Sequence, residues 1–234
     1  MTLNPRKSES MPFLKMTRDV SYESSDKGVR LGKLLPIVDT KEWVQRLSEL
    51  DKITDIQLRI KNEKSEEKIN EIVRECQEIC AKNNVRLWIN DYWRAAVKAK
   101  CFGVHIGQED LGKCIADGGL DVIRENNMAL GISTHSYAEL SAALGIHPSY
   151  ISLGPVFGTQ SKNVSFDPQG LETVLKWKEL MDPEMPLVAI GGINDPNTAL
   201  KVKEAGADCV AVISAITKSN DVDDAVEKLH AAMT

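Results

Sequence analysis

Residues 86–110 read RLWINDYWRAAVKAKCFGVHIGQED, and this stretch decides the fold. Arg86–Asn90 is a short β-like run, Trp93–Lys100 a helical pattern, and Phe102–Ile106 a second β-like run. Strand, helix and strand in close succession make a βαβ unit, whose two strands run parallel. Both predicted strands exit through polar residues. Asn90-Asp91 ends the first, and His105-Ile106-Gly107-Gln108-Glu109-Asp110 ends the second.

The same alternation repeats in both directions. Upstream, strands are expected at Leu34–Val38 and Asp55–Ile60, with a helix near Lys41–Leu50. A further helix carries Ile69, Ile72, Val73, Cys76, Ile79 and Cys80 at three- and four-residue spacing. Downstream, strands are expected at Met128–Ser133, Tyr150–Leu153, Pro186–Ile190 and Cys209–Ile213. The helix after Ile106 is expected to end near Asn126. Ser136-x-x-Glu139 reads as a capping box opening a helix that Gly145 closes. A polar loop to about Asp167 precedes a helix ending at Met181. Asp195-Pro196 is an N-cap and first-turn pair for a helix stopping at Ala205-Gly206, and Val222, Ala225, Val226 and Leu229 share a face of the last helix. Eight strands with helical connections close into a single-domain α/β fold, a (β/α)8 TIM barrel over residues 31–234. An open doubly wound sheet is the alternative; the absence of G-x-G-x-x-G after the first strand weakens it.

Residues 1–30 form an N-terminal extension, expected to be flexible or a targeting segment, since Arg6, Lys7, Lys15 and Arg18 face only Glu9 in its first 18 residues. The chain's 234 residues, 42% hydrophobic and 27% charged, suffice to bury a core. A net charge of −5 argues against nucleic-acid or anionic-membrane partners, and no apolar run approaches the ~20 residues of a membrane helix. Five cysteines, odd in number and without dense spacing, point to a reducing compartment. A cytoplasmic location is expected, or a plastid or mitochondrion if the extension is a transit peptide. A homo-oligomer is compatible with all of these features.

In such barrels the acting groups lie just past the carboxyl ends of the strands. Gln57, Arg59 and Lys61 are two apart, so they are expected to share a face towards the barrel mouth. Two cations on one inward face call for an anion, and a diphosphate suits both the Arg fork and the Lys point charge. A solvated strand end or structural ion pair is the plainer alternative. Asp91 and Asp110, at adjacent strand ends, can share a hard cation; Mg²⁺ takes one or two carboxylates with waters and phosphate oxygens. His105 reads equally as a hydrogen-bonded core histidine or a substrate contact. Ser133 and Thr134 offer hydroxyls past strand five, for a ligand or merely for a turn. The Gly154–Asn163 loop, with Thr159, Ser161 and Lys162, suits a mobile anion clamp, a plain polar surface loop being the alternative. Gly191-Gly192 and Ser214 follow strands seven and eight, where a phosphate site recurs in this fold and bare glycines let backbone N–H groups approach it. Two facing anion sites imply two phosphorylated small-molecule substrates, or one doubly phosphorylated one.

Seven motifs carry a family resemblance. They are Gln57-Leu58-Arg59-Ile60-Lys61, Trp88-Ile89-Asn90-Asp91, His105 to Asp110, Gly131-Ile132-Ser133-Thr134-His135, Gly154-Pro155-Val156-Phe157 with Thr159 to Lys162, Ala189-Ile190-Gly191-Gly192-Ile193, and Ile213-Ser214-Ala215-Ile216. In order over about residues 33–218, they resemble the thiamin phosphate synthase family. The resemblance implies a transferase that joins a hydroxymethylpyrimidine diphosphate to a thiazole phosphate. The C–O bond to diphosphate breaks, a pyrimidine carbocation forms, and the thiazole nitrogen captures it. It further implies that Gln57, Arg59, Lys61 and Asn90, with Ser133 and Lys162, hold the pyrimidine diphosphate. Arg59, Lys61, Ser133 and Lys162 would be the catalytic groups. Asp91 and Asp110 would bind Mg²⁺, and Thr159, Gln160, Ser161, Gly192, Ile213 and Ser214 the thiazole phosphate. The chain departs from the family at Ile60, where many members have an acid, at Ser161, where threonine is usual, and at Gly158, often proline. A thiazole tautomerase-like paralogue or a non-catalytic binder of thiamin intermediates is the competing reading. The first needs neither Mg²⁺ nor the diphosphate cradle, and the second would keep the thiazole-phosphate site but need not keep the metal pair.

Overall fold

The computed structural model describes residues 12–17, 29–158 and 167–234. Its barrel strands are β1 (Leu34–Val38), β2 (Asp55–Leu58), β3 (Arg86–Asn90), β4 (Gly103–Ile106), β5 (Ala129–Thr134), β6 (Tyr150–Leu153), β7 (Leu187–Ile190) and β8 (Cys209–Val212). Each pairs in parallel with the next, and β8 pairs with β1 to close the barrel. The helices are α1 (Lys41–Ser48), α2 (Glu66–Lys82), α3 (Trp93–Ala99), α4 (Gln108–Ala116), α5 (Gly119–Glu125), α6 (Tyr137–Ile146), α7 (Gly170–Leu180), α8 (Pro196–Glu204), α9 (Ser214–Thr217) and α10 (Val222–Met233). Among the described residues no helix is long and apolar enough to cross a membrane.

Strand alternation divides the core in two. Leu34, Val38, Leu87, Ile89, Val104 and Ile106 point outwards and pack under the helices with Val73, Cys76 and Cys80 of α2. Leu35, Ile37, Trp88, Ala129, Tyr150, Val188 and Cys209 fill the barrel itself. Gly131 makes room for Tyr150, since a Cβ there would lie 2.2 Å from its ring. All five cysteines are free and buried, and burial pushes the Cys76, Cys80 and Cys101 thiols up to about 12.

Several element ends differ from expectation. The single helix expected after β4 is two, because Gly118 adopts a left-handed conformation (φ +70°) between α4 and α5. Gly145 lies inside α6; the left-handed residue that ends that helix is His147, ahead of Pro148. Ser136 does cap α6, accepting the Glu139 N–H at 3.3 Å, but Glu139 turns back to the His135 N–H at 2.6 Å, so the box is not reciprocal. At α8, Asp195 and Thr198 form a reciprocal box.

Part of the N-terminal extension is built into the fold. Met16–Thr17 and Val29–Arg30 form a short parallel ribbon. Phe13 and Met16 are buried, and Met16 joins the cluster inside the barrel. The Leu14 N–H donates to the Met128 carbonyl at 3.2 Å, the Ser149 hydroxyl donates to the Leu14 carbonyl at 2.7 Å, and the Arg124 guanidinium lies 4.3 Å over the Phe13 ring. An unstructured extension is therefore the wrong description for residues 12–17, whose two large apolar side chains gain by leaving water. Residues 1–11 and 18–28 lie outside the described residues.

At the amino end of β2, Asp55 is fully buried. Arg86 grips both its oxygens, the Trp88 indole N–H donates to Oδ1 at 2.9 Å, the Thr54 hydroxyl to Oδ2 at 2.8 Å, and the Gly32 N–H to Oδ2 at 3.1 Å. Removing one partner of a buried pair leaves the other uncompensated. Asp55→Ala is thus expected to lower stability by about 3–5 kcal/mol in urea unfolding at neutral pH. A loss under about 1 kcal/mol would mean that water replaces the carboxylate.

Candidate active site

The carboxyl ends of the strands open into a cavity. Gln57, Arg59, Asn90, Ser133 and His135 line one arc of it, from β2, β3 and β5. Gly191, Gly192, Asn194, Ile213 and Ser214, from the exits of β7 and β8, line the other. Of the residues expected at the site, Gln57, Arg59, Asn90, Ser133, Gly192, Ile213 and Ser214 thus share one cavity.

The glycine pair is demanded by the backbone. Gly191 and Gly192 have φ of +96° and +71°, and a Cβ on Gly192 would meet that of Phe157 at 2.6 Å. Phe157 lies close because the root of the sixth loop is tied across: the Val156 N–H donates to the Ile190 carbonyl at 2.9 Å and the Phe157 N–H to that of Gly191 at 3.0 Å. The returning chain is tied there too, with the Gln169 N–H on the Pro155 carbonyl at 2.8 Å. Thr159, Gln160, Ser161 and Lys162 lie outside the described residues. Asn194, which the sequence reading missed, lines the cavity and accepts from the Ser214 hydroxyl at 3.3 Å.

A column of polar side chains descends from the mouth. Ser133 Oγ lies 2.8 Å from His105 Nε2, and His105 Nδ1 lies 2.8 Å from the Tyr150 hydroxyl. The His105 and Tyr150 rings stack at 5.7 Å, and both residues are buried. Burial pushes the Tyr150 hydroxyl well above the usual tyrosine range, so it keeps its proton. His105 therefore combines both readings open to it: it is hydrogen-bonded in the barrel and also lines the cavity. His135 Nδ1 sits 3.0 Å from Glu139 at the rim; its i, i+4 spacing was a signal available in the sequence.

A second cleft adjoins the first. Arg59 and Asn90 line both, and Asp91 and Asp110 line the second together with Lys64 and Lys113. Asp91 follows β3 in a left-handed conformation (φ +62°), which Asp tolerates better than most residues. Its Oδ1 accepts the Gly107 N–H at 3.0 Å, and Asn90 donates to Oδ2. Asp110 sits in the first turn of α4, where the helix dipole favours a carboxylate. No cluster of three or more His, Cys, Asp or Glu suited to a metal occurs among the described residues. Two carboxylates with room for waters and phosphate oxygens is the donor set that Mg²⁺ favours.

Lys61 is placed differently from Gln57 and Arg59. β2 ends at Leu58, and Asn62 turns the chain with φ +61°, so the two-residue alternation does not extend to Lys61. Its ammonium pairs with Asp39 at 2.9 Å, with both side chains more than 40% exposed (44% and 42%). It lines neither cavity wall just described.

The family model described as thiamine monophosphate synthase matches residues 35–216. A thiamine-phosphate synthase from Proteus mirabilis is 43% identical over 196 residues, covering 84% of this chain and 87% of the relative. Another, from Rhizobium etli, is 43% identical over 193 residues, covering 82% and 91%. Among solved structures, the thiamine phosphate pyrophosphorylase from Pyrococcus furiosus superposes with a TM-score of 0.71 at 30% identity, covering 86% of this chain and 95% of that one. A 3-hexulose-6-phosphate synthase matches with a TM-score of 0.65 at 19% identity and shares the fold.

Proposed function

The chain belongs to the thiamine monophosphate synthase family, and on that footing we propose that it condenses 4-amino-2-methyl-5-(diphosphooxymethyl)pyrimidine with 4-methyl-5-(2-phosphoethyl)thiazole, or its carboxylated form. The products are thiamin phosphate and diphosphate, which makes the chain a transferase. One observation carries the reading at this site: Arg59 and Asn90 form a wall shared by the barrel mouth and the cleft of Asp91 and Asp110. A ring in the mouth with its diphosphate in the cleft would place the breaking C–O bond at that wall.

The residues then divide the work. Gln57, Asn90 and Ser133 hold the pyrimidine in the mouth, and Arg59 takes the charge that grows on the leaving diphosphate. Lys162 adds to that charge field, and Lys61, which lines neither cavity wall, joins it only by leaving its pair with Asp39. Asp91 and Asp110 would hold Mg²⁺, which when bound neutralises diphosphate charge. Gly192, Ile213 and Ser214 receive the thiazole phosphate across the mouth, together with Thr159, Gln160 and Ser161. The pyrimidine carbocation is captured by the thiazole nitrogen, so the two substrates must meet in one cavity, between its two arcs. No general base is required at the reacting carbon.

The test mixes the full chain with both phosphorylated halves and Mg²⁺ and follows thiamin phosphate and diphosphate. Both are expected in equal amounts. Binding of both halves without either product would leave a binder or an isomerase instead.

A further inference from the structure

The polar column under Ser133 has a direction. A neutral imidazole has one N–H, and a phenol donates to an imidazole nitrogen better than it accepts from one, because its lone pair is delocalised into the ring. The Tyr150 hydroxyl, fully buried in the barrel, retains its proton, and its hydrogen-bond partner is His105. Tyr150 O–H therefore donates to His105 Nδ1 across the 2.8 Å contact. That leaves His105 protonated at Nε2, and Nε2–H donates to Ser133 Oγ across the next 2.8 Å. Ser133 Oγ is then already an acceptor within the protein, and its own hydrogen turns to the cavity that it lines.

We propose that Tyr150 and His105 are positioning residues that fix Ser133 as a hydrogen-bond donor to the substrate. The inference rests on the proposed condensation only for what Ser133 donates to, an acceptor atom of the pyrimidine diphosphate. The tautomer itself does not depend on that reading. Sequence order hides the device, because Tyr150, His105 and Ser133 lie on β6, β4 and β5 and meet only in the barrel. Gly131 completes it by clearing the space that the Tyr150 ring occupies.

Nitrogen NMR of the full chain with labelled histidine reads the tautomer without substrates. The chain has four histidines, and the His105 signal is identified by its loss in His105→Gln. A neutral Nε2–H ring is expected in the wild type, with Nδ1–H gaining population in Tyr150→Phe. An Nδ1–H or doubly protonated His105 in the wild type overturns the proposal. In turnover, Tyr150→Phe is expected to lower kcat about tenfold, the effect of one misdirected hydrogen bond, with little change in KM for the thiazole phosphate. His105→Gln presents an N–H where Nε2 stood and should stay within a few-fold of wild type, whereas His105→Asn, too short to reach Ser133, should lose about as much as Tyr150→Phe. Equal activity for His105→Gln and His105→Asn, or unchanged kcat in Tyr150→Phe, also overturns it. A wild type with the expected tautomer but no product would instead count against the condensation alone.

Discussion

Arg59→Ala is expected to lower kcat by about 10²- to 10³-fold while leaving the melting temperature within a degree or two, roughly the range for one lost transition-state charge contact away from the core. The two halves of the expectation have separate causes. The Arg59 side chain has no hydrogen-bond or ion-pair partner among the described residues, so its removal orphans nothing. Stability measurements should therefore barely register the change. In turnover the guanidinium faces the place where the leaving diphosphate gains charge, and an interaction that grows in the transition state lowers kcat and kcat/KM together. Arg59→Lys should recover only part of the loss, because the ammonium lacks the planar fork that meets two phosphate oxygens. A rise in KM with kcat unchanged would reduce Arg59 to a ground-state contact. Unchanged kinetics would detach it from the reaction.

Much of this was legible before the structure. The βαβ reading of residues 86–110, extended outwards, yields the barrel because period-2 and period-3.6 patterns are local. The cavity arc was legible for the same reason, since Gln57, Asn90 and Ser133 sit at strand exits whose inward sense follows from alternation. What stayed hidden needs register. Asp55 and Arg86 are cross-strand partners 31 residues apart, and no local pattern pairs them. His105 stayed ambiguous because its two bonds reach residues 28 and 45 positions away. The ordered part of the extension was missed because its positive charge outweighed Phe13 and Met16, two buried residues too few to make a pattern. Lys61 was over-extended from a strand that stops three residues earlier.

Asp91 carries the other large expectation, and here position and charge can be separated. Asp91→Asn keeps a residue type that tolerates the left-handed φ of +62° and keeps a side-chain oxygen for the Gly107 N–H. It removes the negative charge and, at the other oxygen, the acceptor for the Asn90 amide. Asp91→Ala removes the charge and the oxygen, and it places a residue that disfavours this conformation where it costs about 1–2 kcal/mol. If the cleft of Asp91 and Asp110 holds Mg²⁺, both variants should lower turnover by about 10²-fold or more at a metal concentration that saturates the wild type. Asp91→Asn alone should regain part of that rate as Mg²⁺ is raised, since its Mg²⁺ site is weakened while its loop stays in place. Asp91→Ala should not, because the Gly107 turn that leads into α4 and Asp110 loses its anchor. Initial rates against Mg²⁺ concentration decide the matter. A titration of Asp91→Asn that overlays the wild type would move the metal away from this cleft. Near wild-type turnover in Asp91→Asn beside a large loss in Asp91→Ala would make Asp91 a loop anchor whose charge is incidental.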